Sequence, residues 1–98
     1  MARLHRGEIV QIMQSSRSAR PEIAFYLPPE ATSVVQVVVE RRGSQVNYFL
    51  KGLSPGKTVG GAVERAWLDQ EGFRPRNLAD EARIQAAVRR NPLHIEVR

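Results

Sequence analysis

The sequence predicts an α+β fold: an antiparallel four- to five-stranded sheet with two helices packed on one face, in the order β-β-β-β-α-α-β. Three observations point there. Residues 33–50 alternate in polarity about a Gly-Ser pair, residues 58–71 and 78–90 space their apolar residues as helices do, and residues 93–98 alternate again.

The hairpin can be read pair by pair. Strands Ser33–Arg42 and Gln45–Leu50 flank Gly43-Ser44, and a two-residue loop that begins with glycine suits a type II′ turn. That turn sets Val39 opposite Tyr48, Val37 opposite Leu50 and Arg41 opposite Val46. Val35, Val37, Val39, Val46, Tyr48 and Leu50 then share the core face, because side chains alternate along a strand. Val34, Val38 and Phe49 fall on the other face among Gln36, Glu40 and Asn47, as a small apolar patch. A slip of one residue would invert every side chain, so the register is firmly specified.

Ahead of the hairpin, Gly7 and the β-branched run Glu8–Met13 favour a strand over a helix from Leu4. Ser15–Pro21 is a loop of hydroxyl and basic side chains. Glu22–Leu27 is a strand with Ile23, Phe25 and Leu27 inward, stopped by Pro28-Pro29. Beyond the hairpin, Val59, Ala62, Val63, Ala66 and Trp67 form the stripe of a helix from Thr58, its N-cap, to Glu71. Gly72 suits the left-handed stop, Phe73 packs back on Leu68, and Arg65 and Asp69 form an i,i+4 pair. The second helix, Leu78–Arg90, has Asn77 as cap, Asp80 and Glu81 in its first turn, and Arg89 and Arg90 in its last. It carries two apolar strips, Ala79-Ala82-Ala86 and Ile84-Ala87-Val88. One covers the sheet and the other calls for a second cover. Leu93–Arg98 is the final strand.

Ninety-eight residues make one domain, 1–98, with enough chain for a core that needs no disulfides. There is no cysteine, which excludes thiolate chemistry and fits a reducing compartment. No apolar run approaches the roughly 18–20 residues that span a bilayer, and the N-terminus lacks the apolar core of a signal peptide. A cytoplasmic protein without a membrane partner is expected. The net charge is +5, divided as +3 over residues 1–20, −1 over 21–50 and +3 over 51–98, so the excess positive charge lies outside the hairpin. That is the electrostatic footprint of a nucleic-acid binder, although 13 of the 15 cations are arginine, as a GC-rich genome also produces.

Few motifs carry chemistry. Gly52–Thr58 follows a strand, opens the first expected helix and ends in Gly-Lys-Thr. Only Leu53, Ser54 and Pro55 separate its glycines, where the nucleotide-cradling loop has four residues, and Pro55 lacks a cradle N–H. What survives is an anion held by Lys57, Thr58 and a helix N-terminus. His94 with Glu96, or His5 with Glu8, supplies two ligands where zinc needs three or four. No triad or positioned base is readable, so neither enzyme activity nor a cofactor is expected. The link between the two helices is too long for a helix-turn-helix.

Two functions follow. The first is a non-enzymatic module that binds nucleic acid or another polyanion through basic loops: Lys51, Lys57 and Thr58, with Arg74 and Arg76, joined by Arg17 and Arg20. The alternative is a protein-interaction adaptor or regulator, homodimeric or bound to another protein. It would use Ile84 and Val88 of the last helix and the outer patch of Val34, Val38 and Phe49.

Overall fold

The computed structural model describes residues 1–98, and it contains seven strands and one α-helix. Strands β2 (Ile9–Ser16), β5 (Gln45–Gly52) and β4 (Val35–Arg42) form an antiparallel sheet in that order. A second sheet runs β1 (Ala2–Leu4), β7 (Leu93–Val97), β6 (Gly56–Glu64), β3 (Ile23–Tyr26), with β1 parallel to β7 and the other pairs antiparallel. Helix α1 (Leu78–Arg90) lies on β6. The α+β class is as expected, but the strands divide into two sheets.

The hairpin β4–β5 has the register that its sequence dictates, with Val39 opposite Tyr48, Val37 opposite Leu50 and Arg41 opposite Val46. Gly43 has φ +59° and no non-glycine residue has positive φ, which is the II′ combination. Val35, Val46, Tyr48 and Leu50 are buried from this one hairpin. The N-terminal segment is the expected strand, and Leu4, just ahead of it, is drawn into β1 and buried.

The helix expected over Thr58–Glu71 does not form. Those residues are β6 followed by a 3-10 turn, Arg65–Trp67. Thr58 is a mid-strand residue opposite Ile95, not an N-cap. Two adjacent glycines inside a helix would each cost about 1 kcal/mol relative to alanine, and Thr58, Val59 and Val63 are β-branched. The strand gains ladders on both sides, with β3 and with β7.

The glycines also explain the packing. A Cβ on Gly61 would lie 3.1 Å from Val88 Cγ2 and 3.3 Å from Val88 Cα, so their absence lets α1 sit directly on the strand. A Cβ on Gly60 would lie 2.7 Å from the Phe25 ring and 2.7 Å from the Tyr26 carbonyl oxygen. One glycine admits the helix and the other admits the core.

Helix α1 has its expected bounds, and Asn77 Oδ1 accepts from the Asp80 N–H at 2.9 Å. Ile84, Ala87 and Val88 form the strip against the sheet, and the alanine strip faces solvent. Ile84 and Val88 are thus core contacts of this chain, not a surface awaiting a partner. Val34 also packs inward, over Gly56. Between β6 and α1 the chain folds into a tight arc. Asp69 N–H donates to the Arg74 carbonyl at 2.7 Å, and Arg76 N–H to the Trp67 carbonyl at 3.0 Å. Gly72, at φ +86°, turns this arc instead of ending a helix. Phe73 does not pack back on Leu68: it is 57% exposed, while Leu68 is buried.

Replacing Gly60 with alanine tests the assignment by sign. The strand predicts a loss of about 1–3 kcal/mol from overpacking against Phe25, whereas a helix would gain roughly 1 kcal/mol. Urea unfolding midpoints of the two proteins decide between them.

Candidate nucleic-acid interface

The loop after β2 is short and held in place. Arg17 N–H donates to the Ser44 carbonyl at the hairpin tip, 2.7 Å away, and Ser18 N–H donates to Ser16 Oγ at 3.2 Å. The loop therefore stands beside the end of the hairpin that carries Arg41 and Arg42. The Arg20 guanidinium folds back on its own loop, its Nη1 donating to the carbonyls of Ala19 at 3.0 Å and Arg17 at 3.4 Å.

Arg65 is held in the same manner. It follows β6, where its N–H donates to the Glu22 carbonyl at 2.8 Å. Its Nη1 and Nη2 donate to the carbonyls of Asp69 and Gln70, both at 2.9 Å. A carbonyl orients a guanidinium without neutralising it, so Arg20 and Arg65 keep their charge in fixed positions.

Arg20, Arg65 and Arg76 line one surface cleft of about 440 Å³ together with Glu22 and Asp69. The Asp69 carboxylate is already engaged, since Oδ1 accepts from the N–H groups of Gly72 at 2.9 Å and Phe73 at 3.2 Å. Desolvation raises the Asp69 pKa, but these hydrogen bonds, with the N–H of Arg74 and the charge of Arg65, outweigh it and hold the pKa below the usual carboxylate range. Tyr48, buried beneath this end, has its hydroxyl pKa raised by desolvation and by Glu22, while Arg65 and Arg41 act the other way. Arg41, two residues along β4 from the Val39 that faces Tyr48, lies on the same side of the hairpin as this phenol.

Arg76 is fixed by a buried charge. The Asp80 side chain is fully buried, with Oδ2 accepting from Arg76 Nε at 2.7 Å and Oδ1 from Arg83 Nη1 at 2.6 Å. The hydrogen bond from Arg76 is the largest influence on Asp80; burial opposes it, Arg83 adds to it, and the net pKa is lowered. Asp80 therefore does more than favour the helix N-terminus: it positions Arg76, engaging Nε and leaving both Nη groups for a ligand.

The basic residues named from sequence divide between two ends of the molecule. Of these, Arg20 and Arg76 come together in one cleft, which Arg65 joins, and the backbone of Arg17 lies beside Arg20. Lys51 lies six residues along β5 from Gln45, about 20 Å at 3.3 Å per residue, and Lys57 lies roughly 25 Å along β6 from Arg65. Lys57 stands opposite Glu96, which itself contacts Arg3 and Arg98. Without a helix after Thr58, the expected anion site at Lys57 and Thr58 loses its N–H groups. Arg74 lines a separate cleft beside Phe73. Val38 and Phe49 face each other in register on the outer surface of β4 and β5, with Val38 exposed and Phe49 half-buried. No three His, Asp or Glu side chains converge as a metal site would require, and no helix is long and apolar enough to cross a membrane.

Comparison with protein-family models, curated proteins and solved structures finds no match for this chain.

The Asp80 pair has a pH signature. Its folded pKa lies below the unfolded value of about 3.9, so its contribution is complete above that value and lost as pH falls through the folded pKa. Asp80→Asn should lower the thermal midpoint at pH 7 and show a shallower further decline between about pH 4 and pH 2 than the native protein. Circular-dichroism melts across that range check it.

Proposed function

We propose that this chain is a non-enzymatic, cytoplasmic module that binds nucleic acid or a similar polyanion through the cleft of Arg20, Arg65 and Arg76, flanked by Arg17 and Arg41. One observation carries the reading: two of the cleft's guanidinium groups are anchored by backbone carbonyls and a third by a single Nε contact. Their positions are fixed, and although Asp80 pairs with Arg76 and Glu22 and Asp69 share the cleft, three cations converge there as phosphate recognition requires. The neighbouring Ser16, Ser18 and Ser44 add hydroxyl groups of the kind that contact phosphate and sugar. Phosphate contacts alone give affinity with little sequence preference, so the expected ligand is a nucleic-acid backbone rather than a particular base sequence. A second reading, contact with a protein partner or a second copy, is supported by the uncovered outer sheet face where Val38 and Phe49 lie side by side.

Binding to a labelled single-stranded oligonucleotide should weaken steeply with salt. Three phosphate contacts predict a log–log slope of about −2, at roughly −0.7 per contact. Arg17→Ala and Arg20→Ala should each flatten the slope by up to about 0.7 and lower affinity at low salt, while Lys51→Ala and Lys57→Ala should change it little. Fluorescence anisotropy at several salt concentrations gives the slopes. No binding at low salt, or equal effects from both groups of variants, would overturn the assignment.

A further inference from the structure

The two sheets leave a seam. β3 ends one sheet and β4 ends the other, and only the 3-10 turn Pro29–Ser33 joins them. A cleft of about 480 Å³ opens there, within the range of ligand sites. Consecutive residues line it from both sides, Phe25 to Leu27 and Val35 to Val37. The face of a strand shows every second residue, so consecutive lining means that the cleft meets each strand along its edge.

Hydrogen-bond phase shows what those edges offer. Bonded and unbonded pairs alternate in an antiparallel ladder. A two-residue loop closes on a bonded pair, here Arg42 and Gln45, and Leu53 N–H donating to the Val34 carbonyl keeps the same phase at the far end. Val35, Val37 and Val39 therefore turn their N–H and C=O groups away from β5; Val35 is wholly buried, and the half-buried Val37 and Val39 are the ones that present theirs along the edge. On β3, the bond from Arg65 N–H to the Glu22 carbonyl sets a phase that turns the groups of Phe25 away from β6, but Phe25 is buried in the core, so the edge that can take a partner is that of β4. Exposed edges are ordinarily blunted by lysine, proline or a bulge, and Val35–Val39 has none of these.

The charge is equally specific. Arg74 is the one charged side chain lining the cleft, and it forms no ion pair. Beside it the Phe73 ring is 57% exposed. We propose that the seam binds an extended peptide strand of a partner protein, its alternate apolar side chains turned inward and a carboxylate paired with Arg74. The bound strand hydrogen-bonds to β4 at Val37 and Val39, which is strand addition at a sheet edge. This site is separate from the arginine cleft and does not depend on its ligand.

The test uses a fluorescein-labelled hexapeptide of alternating valine and threonine ending in glutamate, titrated into the full chain and followed by anisotropy and by amide shifts. Saturable binding is expected, with shifts centred on Val37, Val39 and Arg74. Arg74→Glu should weaken it about tenfold or more, and a lysine-ended peptide should recover that loss. Val37→Pro removes an edge N–H that β5 does not use, and should weaken both peptides. If that variant fails to fold, a peptide N-methylated at alternate residues supplies the same loss from the other side. Failure of the peptide to bind, or shifts elsewhere, would overturn the proposal. So would decanoate binding with the same dependence on Arg74, which would make the seam a site for small amphiphilic acids. A dimer that buries the seam would assign it to a second copy.

Discussion

The close approach permitted by Gly60 and Gly61 is the constraint on which the rest of the molecule depends. β6 is an inner strand with β3 and β7 as neighbours, and it carries α1 on one face. Val88 occupies the space above Gly61, and Phe25 and Leu27 occupy the space beside Gly60. Side chains at either position would push away the helix or the aromatic core. Because α1 can come close, its first turn also falls where Asp80 receives Arg76 from the arc ahead of the helix. Arg65, at the end of the same strand, holds that arc by two of its carbonyls. Strand, helix and arginine cleft are therefore parts of one packing arrangement.

The parts of the fold that local chemistry determines were legible. Strict alternation and a glycine-first turn specify the β4–β5 register, and Asn77, Asp80 and Pro92 mark the bounds of α1. β6 was not legible, because the glycines that make it a good inner strand remove two side chains from its period-two pattern. What remains, Val59, Ala62, Val63, Ala66 and Trp67, matches a helical stripe by coincidence. The division into two sheets was hidden for a different reason. The parallel contact of Ala2–Leu4 with Ile95–Val97 joins the two ends of the chain, and no local pattern announces a pairing so distant in sequence.

The candidate site followed the same division. Arg17, Arg20 and Arg76 stood out as cations in loops, but grouping them with Lys51 and Lys57 required a helix where the chain extends as a strand. Arg65 went unnoticed because, on that helix, it was paired with the Asp69 carboxylate. In the fold it takes the Asp69 carbonyl instead, and the carboxylate turns to Gly72 and Phe73. The four residues between Arg65 and Gln70 are the same in both accounts; only the backbone decides whether the guanidinium donates to a carboxylate or to carbonyls.

Charge and open edge thus occupy different parts of a small surface, and the central functional claim is that anions bind at the hairpin-tip end. An amide-resolved NMR titration with a homopolymeric single-stranded oligonucleotide at low salt tests this most directly. The account predicts shifts grouped on residues 17–20, 41–44 and 65–76. Shifts centred on Lys51–Lys57, or on the outer face around Val38 and Phe49, would contradict it.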